Sequence, residues 1–217
     1  LIIGLGGLGS PVALYLASAG VGSLVLADGD LVDQSNLQRQ IIHSEADLNT
    51  DKVASAKRSI EAINSDISIS TLNQNLVGEV LLAQVANADI VVDCSDSFET
   101  RSAVNEACFK LKTPLVSGSA IRLEGQVSVF DPRQDDSPCY RCLTQLTGEQ
   151  QLSCADSGVM APVVGIVGAI QAMEAIKLVA NLGQPLVGKL LLLDAKTMSW
   201  QTFGLPKDKH CPTCASN

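Results

Sequence analysis

A glycine-rich turn near the start of the chain constrains the fold more than any other sequence feature. Residues 4–9 read Gly-Leu-Gly-Gly-Leu-Gly, a G-x-G-x-x-G pattern that directly follows a short apolar run. Ser10 and Pro11 come next, and a hydroxyl residue followed by proline is typical of a helix start. Glycines between a strand and a helix allow a tight turn whose backbone N–H groups can approach a phosphate. The sequence therefore predicts an opening strand, a tight turn and a helix from Ser10 to about Ala19, ended by Gly20.

Apolar runs and helical segments then alternate up to Ser117. Further strands are predicted over residues 24–28, 67–72, 89–93 and 114–117. Further helices are predicted over residues 51–63, capped by Thr50, and over 77–86 and 98–111. Such alternation is typical of a parallel sheet with helices on both faces, and right-handed crossovers place its ligand crevice at the carboxyl ends of the strands. Only 3% of residues are aromatic, so the core must be aliphatic, as in strands that are buried on both faces.

The pattern changes after Ser117. We predict a strand over residues 126–130, a polar loop over 144–158, a long helix over 162–182 and a hairpin of strands 189–194 and 199–203. The apolar stretch 159–173 contains proline, glycine and glutamine and is shorter than the roughly 20 residues of a membrane span, so it predicts a buried helix. The predicted fold is α/β, a Rossmann-like, doubly wound, mostly parallel sheet with a C-terminal antiparallel extension. Residues 1–217 form one domain in this interpretation.

Charge limits the classes of partner. Lysine and arginine number 15 against 23 aspartates and glutamates, a net charge of −8, and no basic run offsets it. Nucleic acid is therefore not an expected partner, and neither is a membrane. Because Leu1 already stands inside a predicted strand, we expect that the chain lacks a natural N-terminal segment.

An acid and two cations follow the glycine turn. Asp28 ends the second predicted strand, 19 residues after Gly9, where a carboxylate can hydrogen-bond ribose hydroxyls. The motif itself leaves NAD, ATP, flavin and a turn without ligand as alternatives. Residues 35–40, Ser-Asn-Leu-Gln-Arg-Gln, place a cation among amides, and Lys52 stands in the first turn of a helix, where a cation is unfavourable unless an anion is bound. Arg39 and Lys52 are thus candidates to clamp a polyphosphate; the alternative is two unrelated surface charges.

A second acid stands at the same edge of the predicted sheet. Asp96 comes just after the strand that ends in Asp93-Cys94. A carboxylate there can hold a Mg²⁺ ion that bridges phosphates. The alternative is that Asp96 caps the helix that begins at Phe98.

Four of the seven cysteines form two C-x-x-C pairs, Cys139 with Cys142 and Cys211 with Cys214. Two such pairs can make a tetrahedral Cys₄ zinc site. The pairs are 69 positions apart (211 − 142), so a shared ion would staple the polar tail 205–217 to the body of the protein. Two redox dithiols or unbonded thiols are the alternatives.

The other cysteines and the histidines have separate interpretations. Cys94 and Cys108 stand in a strand and a helix and are expected to be core thiols. Cys154 lies in the polar loop, where a thiol is either a nucleophile or without a catalytic role. His43 and His210 show no recognisable constellation.

Taken together, these motifs resemble the E1-like activating enzymes of the MoeB/ThiF/HesA group, relatives of the ubiquitin-activating enzymes. The resemblance covers essentially the whole chain. It is carried by residues 4–9, Asp28-Gly29-Asp30, Ser35-Asn36-Leu37-Gln38-Arg39-Gln40, Lys52, Asp93-Cys94-Ser95-Asp96, Gly125-Gln126 and the two cysteine pairs. It implies a cytoplasmic homodimer that uses ATP and Mg²⁺ to adenylate the C-terminal glycine of a ubiquitin-like sulfur carrier ending in Gly-Gly.

The resemblance also implies residue roles. Gly7 lies against the nucleotide, Asp28 holds the ribose, and Asp96 positions Mg²⁺ and the α-phosphate. Ser97, beside it, stands where the family often has asparagine. The phosphates are contacted by Ser35, Asn36, Leu37, Gln38, Arg39 and Lys52. The structural Zn²⁺ is bound by Cys139, Cys142, Cys211 and Cys214. Cys154 matches a loop cysteine that takes part in sulfur or thioester transfer in some members and is dispensable in others.

Within the group, the molybdopterin branch is our first choice, because residues 140–143, 158–162 and 171–177 resemble it most. The carrier would then be MoaD-like and the pathway molybdenum cofactor biosynthesis. The alternatives are a ThiS-like carrier in thiamine biosynthesis, a scaffold that docks a carrier without adenylating it, and a nicotinamide oxidoreductase. Residues 1–118 are expected to be the nucleotide-binding half and residues 119–217 the carrier-binding, zinc-stapled half.

Overall fold

A computed structural model describes residues 1–147 and 158–215. One eight-stranded sheet has the order β3-β2-β1-β4-β5-β6-β7-β8. The strands are β1 (Ile2–Ile3), β2 (Ser23–Ala27), β3 (Ser68–Leu72), β4 (Val91–Asp93), β5 (Leu115–Ile121), β6 (Glu124–Phe130), β7 (Lys189–Asp194) and β8 (Ser199–Gly204). The α-helices are α1 (Gly9–Ser18), α2 (Lys52–Glu61), α3 (Gly78–Ala86), α4 (Phe98–Leu111), α5 (Tyr140–Thr147) and α6 (Ala161–Ala180). Two 3₁₀ helices, Gln34–Asn36 and Glu45–Asp47, lie between β2 and α2.

The first five strands are parallel, and the last three continue the sheet in antiparallel order. β1 is central, with Ile2 opposite Leu26 on β2 and Val92 on β4. From β1 the chain passes to β2 on one side of the sheet, whereas from β4 it passes to β5 on the other side. This reversal of the strand order creates a crevice at the carboxyl end of β1. The predicted parallel sheet with an antiparallel extension is confirmed.

Strand β5 is longer than predicted, because it continues to Ile121 and pairs with β6 over seven residues. The tight turn between them places Arg122 at a φ of 53°. Together β5, β6, β7 and β8 form a four-stranded antiparallel platform beside the parallel part of the sheet.

Helix α6 is long and apolar enough to cross a membrane, and it packs on one face of the sheet. Val163, Val164 and Val167 are buried with α1 and the strands in the larger of two cores. Its packing is close enough to need glycines. A Cβ on Gly7 would lie 2.8 Å from Val164, and one on Gly125 would lie 2.5 Å from Val167. The prediction of a buried helix in this region is confirmed.

Helix α6 also carries a buried amide. Gln171 is fully buried, and its Nε2 donates to the main-chain oxygen of Asp93 at 2.8 Å. The same amide fills the space that a side chain at Gly118 of β5 would need. Gln171 therefore ties α6 to the end of β4 and to the middle of β5 at once.

Three local predictions are wrong. Ser10 does not cap α1, because its hydroxyl donates to the carbonyl of Gly6 at 2.7 Å and the helix begins one residue earlier. Thr50 does not cap α2, because its hydroxyl donates to the carbonyl of Asp47 instead. Residues 144–147, predicted as loop, complete helix α5. Gly20 does end α1, with a φ of 81°.

Candidate functional site

The glycine turn is shaped by contacts that exclude side chains. Gly4 has a φ of 89°, and a Cβ there would lie 2.9 Å from the carbonyl oxygen of Cys94 at the end of β4. A Cβ on Gly9 would overlap the carbonyl oxygen of Gly4. These two glycines therefore let β1 turn sharply into α1. The N-terminus of α1, a favourable position for a phosphate, then faces the crevice.

We expect Gly9→Ala to lower the free energy of unfolding by about 3 kcal/mol or more, because backbone atoms must move to relieve the overlap. Gly165→Ala is the matched control in helix α6, since a Cβ there meets no atom within 4 Å. It should raise stability by about 0.5–1 kcal/mol, the usual gain for glycine to alanine inside a helix. Urea unfolding of both variants measures the difference, and equal stabilities would contradict the described geometry of the turn.

Side chains hold the peptide groups of the turn in place. The Leu5 N–H donates to Asp28 Oδ2 at 2.7 Å, and the Leu5 carbonyl lies 3.1 Å from His43 Nε2. Because a carbonyl only accepts, Nε2 carries the proton and Nδ1 accepts from the Ser55 hydroxyl at 2.8 Å. Burial lowers the pKa of His43 and favours this neutral form. The sequence showed no constellation around His43, since the fold brings it to its partners Leu5 and Ser55.

Asp28 keeps acceptor capacity for a ligand. Its second oxygen accepts from the Asp30 N–H at 2.9 Å, so each carboxylate oxygen holds one backbone donor. A carboxylate offers about four acceptor positions, which leaves room for two hydroxyls. The position and chemistry of Asp28 thus suit a ribose.

Lys52 is paired in this structure with the acids at the end of β2. Its Nζ donates to Asp30 at 2.7 Å and lies 3.9 Å from Asp28. The lysine side chain is only 7% exposed, and Asp30 is 67% exposed. Asp28 and Asp30 thus provide the negative charge that offsets a lysine in the first turn of α2. Because Asp30 is exposed, a phosphate can replace it as the partner of Lys52 without stranding a buried carboxylate.

The segment 35–40 forms a compact turn beside the glycines. Asp33 caps its first 3₁₀ turn by accepting from the Ser35 N–H at 2.8 Å. The hydrogen bond from the Ser35 hydroxyl, together with that from the N–H, lowers the pKa of Asp33. Asn36 accepts from the buried Gln40 amide, while Leu37 ends the turn and Gln38 is exposed. Arg39 reaches the glycine turn, because its Cγ would lie 3.4 Å from a Cβ on Gly7. Arg39 and the glycine turn therefore border the same space.

Asp96 and Ser97 have different surroundings. Ser97 caps α4, since its hydroxyl accepts from the Thr100 N–H at 3.0 Å. Asp96 is exposed, and among residues 1–147 and 158–215 its carboxylate makes no hydrogen bond. The alternative of Asp96 as the helix cap is therefore wrong. Buried Arg101 donates through Nε and Nη2 to the carbonyl of Ser95 at 3.1 and 2.6 Å, and so fixes the backbone before Asp96.

A cavity of about 520 Å³ begins at Asp96 and runs over the antiparallel platform. Its floor is formed by β5, β6, β7 and β8, and its roof by α4 and α5. Phe98 and Tyr140 form an aromatic part of the roof, with ring centroids 6.3 Å apart. This cavity could not be predicted from the sequence, because its lining comes from six elements that only the fold brings together.

The two cysteine pairs meet in one buried cluster, as predicted. The Sγ atoms of Cys139 and Cys211 are 3.5 Å apart, those of Cys142 and Cys214 are 3.4 Å apart, and all four lie within 4.8 Å of one another. Four thiolates bound at about 2.3 Å around a tetrahedral ion are about 3.8 Å apart, so the cluster fits a metal ion. Hydrogen bonding from Cys139 lowers the pKa of Cys142 to about 4, which favours a thiolate. Two separate dithiols would not need this convergence.

The remaining predictions for cysteine and histidine have clear outcomes. Cys94 and Cys108 are buried core thiols, and burial raises the pKa of both. The side chain of His210 is 96% exposed and lies outside the cysteine cluster. Cys154 lies outside the described residues, so its assignment stays a prediction.

Comparison with known proteins places this geometry in a family. The profile of the ThiF family matches residues 1–213. The chain is 49% identical over 214 residues to a molybdopterin-synthase adenylyltransferase of Escherichia coli and 46% identical over 217 residues to a sulfur carrier protein ThiS adenylyltransferase of the same organism; it covers 86% of each. The crystal structure of E. coli MccB with ATP superposes with a TM-score of 0.86 at 25% identity. That match covers 99% of this chain and 66% of MccB.

Proposed function

The chain belongs to the ThiF family, and on that premise we propose that it is an adenylyltransferase that joins AMP to the C-terminal carboxylate of a sulfur-carrier protein. One observation carries the proposal. A glycine turn bordered by Asp28, Lys52 and Arg39 lies one strand away from Asp96, where a cavity of about 520 Å³ begins. The proposed binding sites of the two reactants, a nucleotide and a protein tail, therefore adjoin each other.

The reaction needs charge stabilisation more than acid–base chemistry. A carboxylate oxygen of the carrier attacks the α-phosphorus of ATP and forms a new O–P bond. The bond from the α-phosphorus to the bridging oxygen breaks, and pyrophosphate leaves with the electron pair. The product is an acyl-adenylate, in which AMP is a good leaving group for later attack by sulfur. Preorganised cations lower the barrier by stabilising the charge on pyrophosphate.

We assign these tasks to residues according to their positions. Asp28 binds the ribose, and Gly7 allows the nucleotide to approach the backbone. Lys52 and Arg39 stabilise the phosphates, together with the compact segment 35–40. Asp96 is a suitable ligand for Mg²⁺, because it is an exposed carboxylate at the edge of the sheet and lacks a partner among the described residues. The ion would supply positive charge next to the phosphates. Ser97 is proposed to contact the nucleotide while it caps α4.

The cysteine cluster is proposed to hold Zn²⁺ in a structural role. All four sulfurs are buried, and none lies beside the glycine turn or lines the cavity. A Cys₄ site leaves no open position for a substrate. Its effect would be to fasten the segment after β8 to α5 and thereby to hold the roof of the cavity.

These assignments divide the chain into two halves within one domain. We propose that residues 1–118 bind ATP and that residues 119–217 bind the carrier and the zinc ion. The carrier is proposed to be MoaD-like, in line with the 49% identity to the molybdopterin enzyme, with a ThiS-like carrier as the alternative at 46%. We propose a cytoplasmic location, because the six cysteines in the described part of the chain are free thiols and a metal-binding cluster needs its thiols reduced. The homodimer is proposed from the family resemblance alone.

Carrier-dependent exchange between ATP and labelled pyrophosphate tests the proposal. The enzyme is incubated with ATP, Mg²⁺ and either a MoaD-like or a ThiS-like carrier, and label in ATP is measured. We expect exchange with one carrier and much less with the other. A carrier whose last glycine is removed is the matched control and should give none.

The outcomes separate the candidate functions. Exchange with the MoaD-like carrier supports the molybdopterin assignment, and exchange with the ThiS-like carrier supports the thiamine alternative. Binding of ATP and carrier without exchange would contradict adenylation and favour a scaffold that only docks the carrier.

A further inference from the structure

The imidazole of His43 joins three parts of the proposed phosphate site. Its Nε2 donates to the carbonyl of Leu5 in the glycine turn at 3.1 Å, and its Nδ1 accepts from the hydroxyl of Ser55 in α2 at 2.8 Å. His43 itself follows the segment 35–40 along the chain. One buried side chain therefore connects the glycine turn, the segment 35–40 and α2.

Two of these parts carry a cation assigned to the phosphates. Ser55 stands three residues after Lys52 in α2, and residues three apart lie on the same face of a helix. The main-chain N–H of His43 donates to the carbonyl of Gln40 at 3.1 Å, directly after Arg39. The contacts of His43 therefore help to fix Lys52 and Arg39 relative to the glycine turn.

The hydrogen bond to Leu5 also sets the direction of a backbone donor. The carbonyl of Leu5 and the N–H of Gly6 belong to one trans peptide group, in which the two bonds point in opposite directions. Because the carbonyl points at the buried His43, the Gly6 N–H points to the other side of the turn, where Gly6 and Gly7 are half-exposed. Among residues 1–147 and 158–215 this N–H donates to no acceptor, so it is available to an anion.

Burial makes the imidazole difficult to replace. Leu5 and Ser55 are fully buried and His43 is 7% exposed, so water does not reach these groups unless they move. Without the imidazole, the buried Leu5 carbonyl would lose its partner and would have to turn toward water. Asp28 still holds the Leu5 N–H at 2.7 Å, so the rotation falls on the next peptide group and moves the Gly6 N–H with it.

We propose that His43 is a positioning residue for the nucleotide, which holds the peptide group between Leu5 and Gly6 so that the Gly6 N–H is directed at a phosphate of ATP. The same imidazole ties α2 and the segment 35–40 to the glycine turn. This inference rests on the proposed function and adds a residue that acts without touching the nucleotide. Its effect on ATP passes through the Gly6 N–H and through the placement of the two cations.

Substitution of His43 by leucine and by glutamine tests the proposal. Leucine is similar in size to histidine but has no donor, whereas the amide of glutamine can donate in place of Nε2. We expect His43→Leu to weaken ATP binding about tenfold, the effect of losing one hydrogen bond to a charged group, and His43→Gln to recover most of that loss. Calorimetric titration with ATP and Mg²⁺, without a carrier, measures the affinity.

Two serines of α2 provide a matched pair of variants. Ser55 donates to the imidazole, whereas Ser59, one turn later, donates to the carbonyl of Ile42 at 2.6 Å. Ser55→Ala should weaken ATP binding about threefold, because the imidazole loses the partner that fixes its tautomer, and Ser59→Ala should leave the affinity unchanged. In pyrophosphate exchange, the KM for the carrier should stay within twofold in all four variants, because His43 does not line the cavity that begins at Asp96.

Urea unfolding of the same variants separates positioning from folding. A purely structural role would make the ATP affinity follow the loss of stability across the set, and Ser59→Ala would then resemble Ser55→Ala. A positioning role makes the affinity follow the donor to Leu5 instead, so His43→Gln binds ATP more tightly than His43→Leu. If His43→Leu does not fold, the comparison of Ser55→Ala with Ser59→Ala decides.

Equal ATP affinity of Ser55→Ala and Ser59→Ala, or equal weakening in His43→Leu and His43→Gln, would overturn the role of His43 while leaving adenylation intact. ATP binding by the unaltered enzyme without exchange on either carrier would overturn adenylation alone. Failure of the unaltered enzyme to bind ATP would overturn the proposed function and the role of His43 with it.

Discussion

Replacing Lys52 by alanine is expected to lower the rate of adenylation by about 10²- to 10³-fold, the effect of removing one preorganised charge from a transition state. The lysine donates to Asp30 at 2.7 Å and lies 3.9 Å from Asp28, so it is held at the proposed nucleotide site rather than in solvent. Pyrophosphate exchange at saturating ATP and carrier measures the loss. Zinc content should not change, because Lys52 lies outside the cysteine cluster.

Two further variants make this result specific. Lys57→Ala, in the same helix, removes a 41%-exposed lysine that forms an ion pair with Glu61 and donates to the carbonyl of Ile69 at 3.5 Å, and it should leave the rate unchanged. Asp96→Ala should lower the rate to a similar extent as Lys52→Ala. Asp96 makes no hydrogen bond among the described residues, so its loss should not alter the free energy of unfolding. Full activity of either Lys52→Ala or Asp96→Ala would contradict its assigned role.

Loss of the proposed zinc ion from the cysteine cluster is expected to have the largest effect on stability. Cys139→Ser should remove about one equivalent of zinc per chain and lower the free energy of unfolding by about 4 kcal/mol or more. The reason is that residues 205–215 contribute little to the apolar core apart from Leu205, the cysteines and Ala215. Metal analysis and urea unfolding measure the two effects.

Thr213→Ala is the control for this experiment, because Thr213 stands inside the second C-x-x-C pair but supplies no sulfur. It should retain zinc and most of the stability. Addition of a strong chelator to the unaltered protein should reproduce the loss seen in Cys139→Ser. Unaltered stability after complete removal of zinc would show that the cluster does not staple the tail.

The sequence predicted the elements that depend on local pattern. The order of strands and helices follows from apolar periodicity, and α4 has the predicted bounds of Phe98 and Leu111. The convergence of the cysteine pairs followed from the chemistry of two identical motifs. Helix caps were less predictable. A hydroxyl such as that of Ser10 or Thr50 has several backbone partners within reach, and the tertiary structure decides among them.

The site depends more on contacts between distant residues. His43 holds Leu5 across 38 positions, and no local motif announces such a pair. The pairing of Lys52 with Asp30 spans 22 positions. The lining of the cavity depends on the register of four strands, because a shift of one residue would turn Gln126 away from the cavity. Gln171 is a residue whose sequence context does indicate a long-range contact. It is an amide within an apolar helix, and a buried amide must find a hydrogen-bond partner.

Helix α6 touches both halves of the site, and this has a consequence for the distance between the reactants. Val164 packs against Gly7 of the glycine turn, and Gln171 packs against Gly118 beneath the platform. Seven residues separate these contacts, about 10 Å along a helix at 1.5 Å per residue. A helix is stiff over two turns, so it fixes the distance between the proposed phosphate site and the cavity proposed to receive the carrier. Much of the entropy cost of bringing carboxylate and phosphorus together is therefore met when the protein folds rather than at each turnover.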